Sequence, residues 1–268
     1  VPWRAFLAEA ARRLATAGLP NATTEARWIV EEATGFDAAE LVSGLDRPAT
    51  VGGVARLDHL VARRLGGEPI QYVLGHWPFR HLDLLCDARV LIPRPETEQV
   101  AEQALRALDD VLRRRPDGHR ATVVDLGTGT GAMGLAVASE RPGTEVWLVD
   151  ASPDAVAVAR ANLAGLGMAG SRVRVVQGSW FAPLPVDLVG QVDLVVTNPP
   201  YIGAGEDLDP AVADWEPRQA LVAGPTGLEC YREILDSVGD WLAPGGAFVA
   251  EVGADQARAV SDLVVAAG

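Results

Sequence analysis

The 268-residue sequence predicts an α/β protein: a mostly parallel sheet flanked by helices, preceded by a small helical bundle. Three observations carry this. From Ala121 on, short β-branched runs alternate with helical patterns, as a parallel sheet requires when each strand returns by a crossover. Before residue 67 the apolar residues fall at helical spacing. Between these parts, residues 68–98 hold strand-like runs broken by turn residues and proline. The expected divisions are a helical domain over 1–67, a β-hairpin and linker over 68–98, and an α/β domain over 99–268.

The elements follow in order. Trp3, Phe6, Leu7, Ala10 and Leu14 mark the first helix. Asn21-Ala-Thr-Thr-Glu25 reads as a helix start leading into Trp28, Ile29 and Val30. A third helix is expected over 38–45. A fourth is expected over 54–65, closed by Gly66-Gly67. Ile70–Leu74 and residues 81–86 read as the two strands of a hairpin. Pro93-Arg94-Pro95 then leads into a helix over about 96–115. Strands are expected at Thr122–Leu126, Glu145–Asp150, 174–177, 193–197 and 247–252. Helices are expected at 131–140, Pro153–Gly165, about 227–242, and 255–267. No internal repeat or low-complexity tract interrupts the pattern.

Composition narrows the function. The chain is 49% hydrophobic, enough for a real core, yet no apolar run is long enough to span a bilayer. No secretory signal pattern stands at the start. Cys86 and Cys230 make neither a disulfide framework nor a metal cluster, and His59, His76, His81 and His119 show no metal-ligand spacing. A soluble, reduced, cytoplasmic protein without a metal is expected. The net charge of −13 disfavours nucleic acid. All 23 basic residues are arginine, which excludes lysine chemistry. Arg113-Arg114-Arg115 reads as a solvated helix end, and the tryptophans, Trp180 excepted, read as core and domain contacts.

V-V-D-L-G-T-G-T-G-A-M-G follows a strand and opens a helix. Glycines suit a loop where a ligand approaches the backbone beside a helix N-terminus. Gly129, Gly131 and Gly134 satisfy G-x-G-x-x-G, the dinucleotide fingerprint. Asp150 ends the next strand about 20 residues on, where an acid commonly binds ribose hydroxyls. NAD and S-adenosyl-L-methionine both carry that ribose, so Asp150 does not separate them. Asp125 with glycines at 127, 129 and 131 leans toward the second, because D-L-G-T-G-T-G looks like motif I of class I methyltransferases.

The strand at 193–197 ends in Asn198-Pro199-Pro200-Tyr201, at the same sheet end as the glycine loop. Proline fixes φ and donates no backbone hydrogen bond, but keeps its carbonyl as an acceptor. Against a planar NH2 group, Asn198 Oδ1 can accept one N–H and the Pro199 carbonyl the other, while Tyr201 packs on the plane. Such a clamp orients the nitrogen and preorganises the electrostatics. It specifies an amino-group nucleophile without choosing between adenine N6, guanine N2 and glutamine N5.

Several motifs in order make the choice. The chain resembles the peptide chain release factor N5-glutamine methyltransferase family (HemK/PrmC type) over nearly its whole length. The resemblance is carried by G-E-P-I-Q-Y-V-L-G, L-I-P-R-P-E-T-E, D-L-G-T-G-T-G-A, V-D-A-S-P-D with A-R-A-N, N-P-P-Y, and W-E-P-R-Q-A-L followed by G-L-E. It implies a class I S-adenosyl-L-methionine-dependent methyltransferase, Rossmann-like, with the N-terminal helical bundle docking the substrate. The cofactor-binding residues would be Asp125, Gly127, Thr128, Gly129, Thr130, Gly131, Asp150, Ser179, Trp180 (against the adenine) and Asn198. Asn198, Pro199, Pro200 and Tyr201 would be catalytic, holding the glutamine amide of the Gly-Gly-Gln loop of a class I release factor. Arg94 and Glu96 would lie at the substrate entrance. The product would be S-adenosyl-L-homocysteine, and the partner a release factor, with a monomeric enzyme and no direct nucleic-acid or membrane binding. The alternative is a nucleic-acid amino-methyltransferase; a third reading is a non-catalytic binder.

Two departures from the family stand out. Many relatives carry an acid where Ser179 stands, so weaker adenine binding is expected. Relatives also continue past residue 268 into a final β-hairpin with a D-x-x-G-x-x-R-like pattern, which is missing from this sequence. The strand at 247–252 would then be an unpaired sheet edge.

Overall fold

The helical periodicity of the first part is realised in five helices: α1 (Trp3–Thr16), α2 (Ala22–Thr34), α3 (Ala38–Gly44), α4 (Val51–Leu65) and α5 (Ile70–Leu74). In this computed structural model, which describes residues 1–267, the chain divides into two compact units, one over Val1–His76 and the other from Trp77 on. Gly268, the last residue of the expected α/β domain, lies outside the described residues. The α3 start shows why its sequence folds as it does. Asp37 Oδ1 accepts the amides of Ala39 and Glu40 at 2.8 and 2.7 Å, and Glu40 reaches back to the Asp37 amide, a reciprocal capping box. Leu14, Ile29, Val30, Leu41 and Val61 close the core of this unit. Arg64 pairs with the buried Glu25 at 2.7 Å.

Ile70–Leu74 corrects an expectation, for it is a helix and not a strand. Pro69 starts it from an extended conformation, and Gly75 at φ +83 stops it in the left-handed region. A five-residue apolar run gives periodicity nothing to arbitrate with. The two-stranded sheet is formed instead by β1 (His76–Phe79) and β2 (Leu82–Leu85). Between them Arg80 adopts φ +55. Its amide donates to Glu98 at 2.9 Å, and its guanidinium pairs with Glu140 and Glu102.

Proline at N1 opens α6 (Pro95–Leu112). The alternation then runs β3 (Thr122–Leu126), α7 (Ala132–Glu140), β4 (Glu145–Asp150), α8 (Pro153–Gly165), β5 (Val173–Gln177), β6 (Val192–Thr197), β7 (Ile202–Gly203), α9 (Pro210–Ala213), β8 (Val222–Gly224), α10 (Glu229–Trp241), β9 (Leu242–Ala250) and α11 (Ala257–Ala267). β9 starts earlier than expected because it follows α10 without a loop, and it ends two residues sooner. Short β7 and β8 pair with each other.

The main sheet has the order β5-β4-β3-β6-β9, with every neighbouring pair parallel. All six residues of β6 are buried, as a central parallel strand requires. The chain winds outward from β3 to β5 and then returns to β6, so its direction reverses between β3 and β6. Ligands of open α/β sheets bind outside the carboxyl ends of the strands at such a switch point. Arg115 corrects a smaller expectation. It is not solvated but pairs with Asp193, a buried residue of β6 that also accepts from the Thr122 amide at 3.0 Å and meets His119 at 2.8 Å.

Candidate active site

The loop after β3 is built from beneath. Asp125 is fully buried, and its Oδ2 accepts both the Thr128 hydroxyl at 2.7 Å and the Gly134 amide at 2.9 Å. It therefore ties the loop to the first turn of α7 and lines neither cavity described below. Burial pushes its carboxyl up to about 7 against those two hydrogen bonds, and Oδ1 has no partner. Gly134 must lack a side chain, since a β-carbon there would meet Leu148 Cδ2 at 2.2 Å. Thr128 and Thr130 are buried too: the Thr128 amide bonds Val149 O, and Thr130 O accepts from Asn162. Gly131 faces Leu135 in the core. Of the loop, only Gly127 and Gly129 open onto a cavity, both at positive φ, with nothing within 4 Å of the place a Gly129 β-carbon would take.

Asp150, at the end of β4, stands across from them. Its Oδ2 accepts the Gly129 amide and its Oδ1 the Ser152 amide, each at 2.9 Å. Burial raises its pKa while these two bonds oppose the rise. Gly127, Gly129, Asp150, Ser179, Trp180 and Asn198 surround a cavity of about 210 Å³. Trp180 holds the wall in an unusual conformation, φ +45, with its indole N–H donating to Glu233 at 2.7 Å. Ser152, Ala155, Gln219 and Cys230 also line it. Gln219 falls within the W-E-P-R-Q-A-L motif, whereas Cys230 carries no sequence signal beyond its place at a helix start.

Strand β6 delivers the second half of the site. Thr197 locks its end to β3 through a 2.7 Å bond to Leu126 O. Asn198, next in sequence, borders two cavities at once. One is the cavity beside the glycine loop, which Pro200 also lines; the other, also of about 210 Å³, holds Arg94, Tyr201 and Glu251. Pro199 is buried. The turn is fixed from behind by Gln256, which donates to Tyr201 O at 2.8 Å. Burial and the nearby Glu251 raise the Tyr201 hydroxyl. Arg94 pairs with the buried Glu216, which also accepts the Ile92 amide at 3.0 Å. Glu96 is exposed and lines neither cavity. Thr97 and Glu251, which sequence reasoning missed, stand beside Asn198.

The arrangement suits an adenosine-bearing cofactor. Two glycines leave backbone exposed, a carboxylate with spare lone pairs faces them, and an aromatic wall flanks both. Asn198 then presents a neutral amide to whatever enters the second cavity. Among the described residues no group of three or more His, Cys, Asp or Glu could hold a metal, and no helix is long and apolar enough to cross a membrane.

Comparison with known proteins bears on the family and the fold. The family model of the PrmC N-terminal domain matches residues 5–75, and that of the methyltransferase small domain residues 100–215. The release factor glutamine methyltransferase of Geobacter sulfurreducens is 40% identical over 92% of this chain and 82% of its own length. The protein of that name from Moorella thermoacetica is 38% identical over 99% of this chain and 90% of its own. Among solved structures, the hMettl16 catalytic domain in complex with MAT2A 3'UTR hairpin 1 gives a TM-score of 0.53 at 15% identity, covering 78% of this chain and 72% of that one. That likeness is one of fold alone.

Proposed function

This chain belongs to the release factor glutamine methyltransferase family, and we propose that it methylates the side-chain amide nitrogen, N5, of the glutamine in the Gly-Gly-Gln loop of a class I release factor. The observation that carries this reading is the place of Asn198, which borders both the cavity beside the glycine loop and the one beyond it. The bound S-adenosylmethionine would supply an electrophilic methyl group and leave as S-adenosylhomocysteine. Gly127 and Gly129 would lie against it, Asp150 would accept from its ribose hydroxyls, and Trp180 and Ser179 would flank its adenine. Asp125, Thr128, Thr130 and Gly131 act one layer down, by shaping the loop.

A carboxamide nitrogen is a poor nucleophile because its lone pair is delocalised. Asn198 Oδ1 and the Pro199 carbonyl would each accept one of its N–H bonds, which raises its electron density and turns it toward the first cavity. The rigid Pro199-Pro200 turn limits the reorganisation this needs. The nitrogen becomes acidic as it gains the methyl group and releases one N–H proton to solvent, so no strong base is required beforehand. Tyr201 would pack on the amide plane. Arg94, already paired with Glu216, would border the route by which the loop arrives. The net charge of −13 favours a protein substrate over nucleic acid; the enzyme would work in the cytoplasm, as a single chain.

The test is methyl transfer from labelled S-adenosylmethionine to a class I release factor, beside the same factor with its loop glutamine replaced, and beside DNA and RNA. Label on the intact factor alone, lost with an Asn198→Ala enzyme, supports the reading. Label on nucleic acid with none on protein overturns it.

A further inference from the structure

Beside Asn198, in the wall of the second cavity, lies a carboxylate for which the reaction described above has no use. Glu251 follows the last residue of β9, and its amide donates to Thr197 O at 3.0 Å, which sets it beside Asn198 on the neighbouring strand end. The Tyr231 hydroxyl holds the Glu251 carbonyl at 2.9 Å. The residue is only 8% exposed, and its Oε2 has no hydrogen-bond partner among the described residues. Thr97, also buried, sits at the start of α6 with its Oγ1 3.5 Å from Asn198 Nδ2. The Thr97 and Asn198 side chains lower the Glu251 pKa as nearby donors do, and Asn198 and Glu251 line the same cavity.

A primary amide has two faces that differ only in sign: its oxygen accepts and its nitrogen donates. Turned the wrong way, Asn198 would offer N–H groups to a substrate amide that needs an acceptor. An ionised carboxylate accepts only, so Glu251 rewards Nδ2 and repels Oδ1. Thr97 can give its hydroxyl proton to Glu251 and so present only its lone pairs to Nδ2. Keeping a buried carboxylate with an unpartnered oxygen is unfavourable for stability, which argues that it is kept for another reason. We propose that Glu251, together with Thr97, is a positioning residue that fixes the orientation of the Asn198 amide, so that Oδ1 and not Nδ2 faces the substrate. The inference rests on the functional reading above and deepens it.

The lock is pH-sensitive. Burial and the nearby Glu96 raise the Glu251 pKa, while the two donors and Arg94 lower it; Tyr201 and Tyr231 face the same group, and Glu216 lies beyond Arg94. Once protonated, Glu251 becomes a donor itself and can satisfy a reversed Asn198. Turnover therefore declines as pH falls through the raised Glu251 pKa.

The experiment compares wild type with Glu251→Gln, Thr97→Val and Thr97→Ser, using a class I release factor and S-adenosylmethionine. Four quantities are read: kcat, KM for the factor, cofactor Kd by calorimetry, and the pH profile of kcat. Glu251→Gln is expected to lower kcat about tenfold or more, a loss on the scale of one misplaced hydrogen bond in the transition state. Cofactor Kd stays within about twofold, and the acid limb of the wild-type profile disappears. Thr97→Val shows a smaller fall, and Thr97→Ser, which keeps the hydroxyl, is close to wild type. A kcat within about twofold of wild type in Glu251→Gln, or an unchanged acid limb, overturns the proposal. So does a fall in kcat matched by lost cofactor affinity. Should Glu251→Gln fail to fold, equal activities of the Thr97 pair overturn the proposal, and a Val-specific loss supports it. A wild-type enzyme that leaves the factor unlabelled overturns the substrate reading and this inference together, whereas wild-type labelling beside an unaffected Glu251→Gln overturns the inference alone.

Discussion

Asp150 accepts the backbone N–H of Gly129 at 2.9 Å, so the acid at the end of β4 is bonded to the loop it faces. It holds the loop, and in the proposed function it would also offer its remaining lone pairs to the cofactor ribose. Asp150→Ala removes both and is expected to weaken S-adenosylmethionine binding by about tenfold to a hundredfold, that is about 1.4–2.8 kcal/mol. Asp150→Asn keeps an acceptor for Gly129 and is expected to fall between. Calorimetric titration of the three proteins checks this; equal affinities would remove Asp150 from the cofactor site.

Gly134 is a packing test of the same loop. A β-carbon there lies 2.2 Å from Leu148 Cδ2 and 3.0 Å from Asp125 Oδ2. Gly134→Ala is expected to destabilise the unit from Trp77 on by about 1–3 kcal/mol, the usual cost of overpacking, and to weaken cofactor binding through the displaced Asp125. A thermal melt beside a binding titration reads both, and a variant with unchanged melting contradicts the close packing.

Asp125 carries the pH dependence of the loop. Burial pushes its carboxyl up to about 7, well above the ordinary aspartate value near 3.9. The folded state therefore binds this proton more tightly than the unfolded one. The contribution of Asp125 to stability is full below its unfolded pKa and is lost as pH rises through about 7. Asp125→Asn cannot ionise, so its stability relative to wild type should rise steadily between about pH 4 and 7. Urea midpoints across that range test the sign; a flat difference would show that Asp125 titrates normally.

The Arg94–Glu216 pair leaves Glu216 with a side chain only 2% exposed. Arg94→Met strands that carboxylate, and breaking a buried pair from one side costs about 3–5 kcal/mol. A melting point lower by on the order of 10 °C is expected. Arg94→Met combined with Glu216→Leu should recover most of the loss. A single variant as stable as wild type would show that the pair is open to water.

The fold was legible where local chemistry and periodicity agreed. Thr122–Leu126, Glu145–Asp150 and Pro153–Gly165 fall at the expected bounds. The last of these owes its start to Ser152, whose hydroxyl caps the Ala155 amide, and to proline at N1. Ile70–Leu74 was misread because its β-branched and aromatic residues suit a strand, and only Pro69 and Gly75 betray one helical turn. The site divides in the same way. Gly127, Gly129, Asp150, Trp180 and Asn198 share a cavity, while Asp125, Thr128, Thr130 and Gly131 lie beneath it and Glu96 stays in solvent. Thr97 meets Asn198 across 101 residues of chain, and no spacing rule reaches that far. Glu251 did leave a trace, as the one acid inside the apolar run 247–252.

The glycine loop has a kinetic consequence. Its bends are already held by Asp125, Asp150 and the Val149 carbonyl. An incoming cofactor finds this wall built and has little chain entropy to remove from it, so most of the contact energy is kept as affinity. Association is then expected in a single phase, with an observed rate that climbs linearly with cofactor concentration and no plateau from a slow rearrangement.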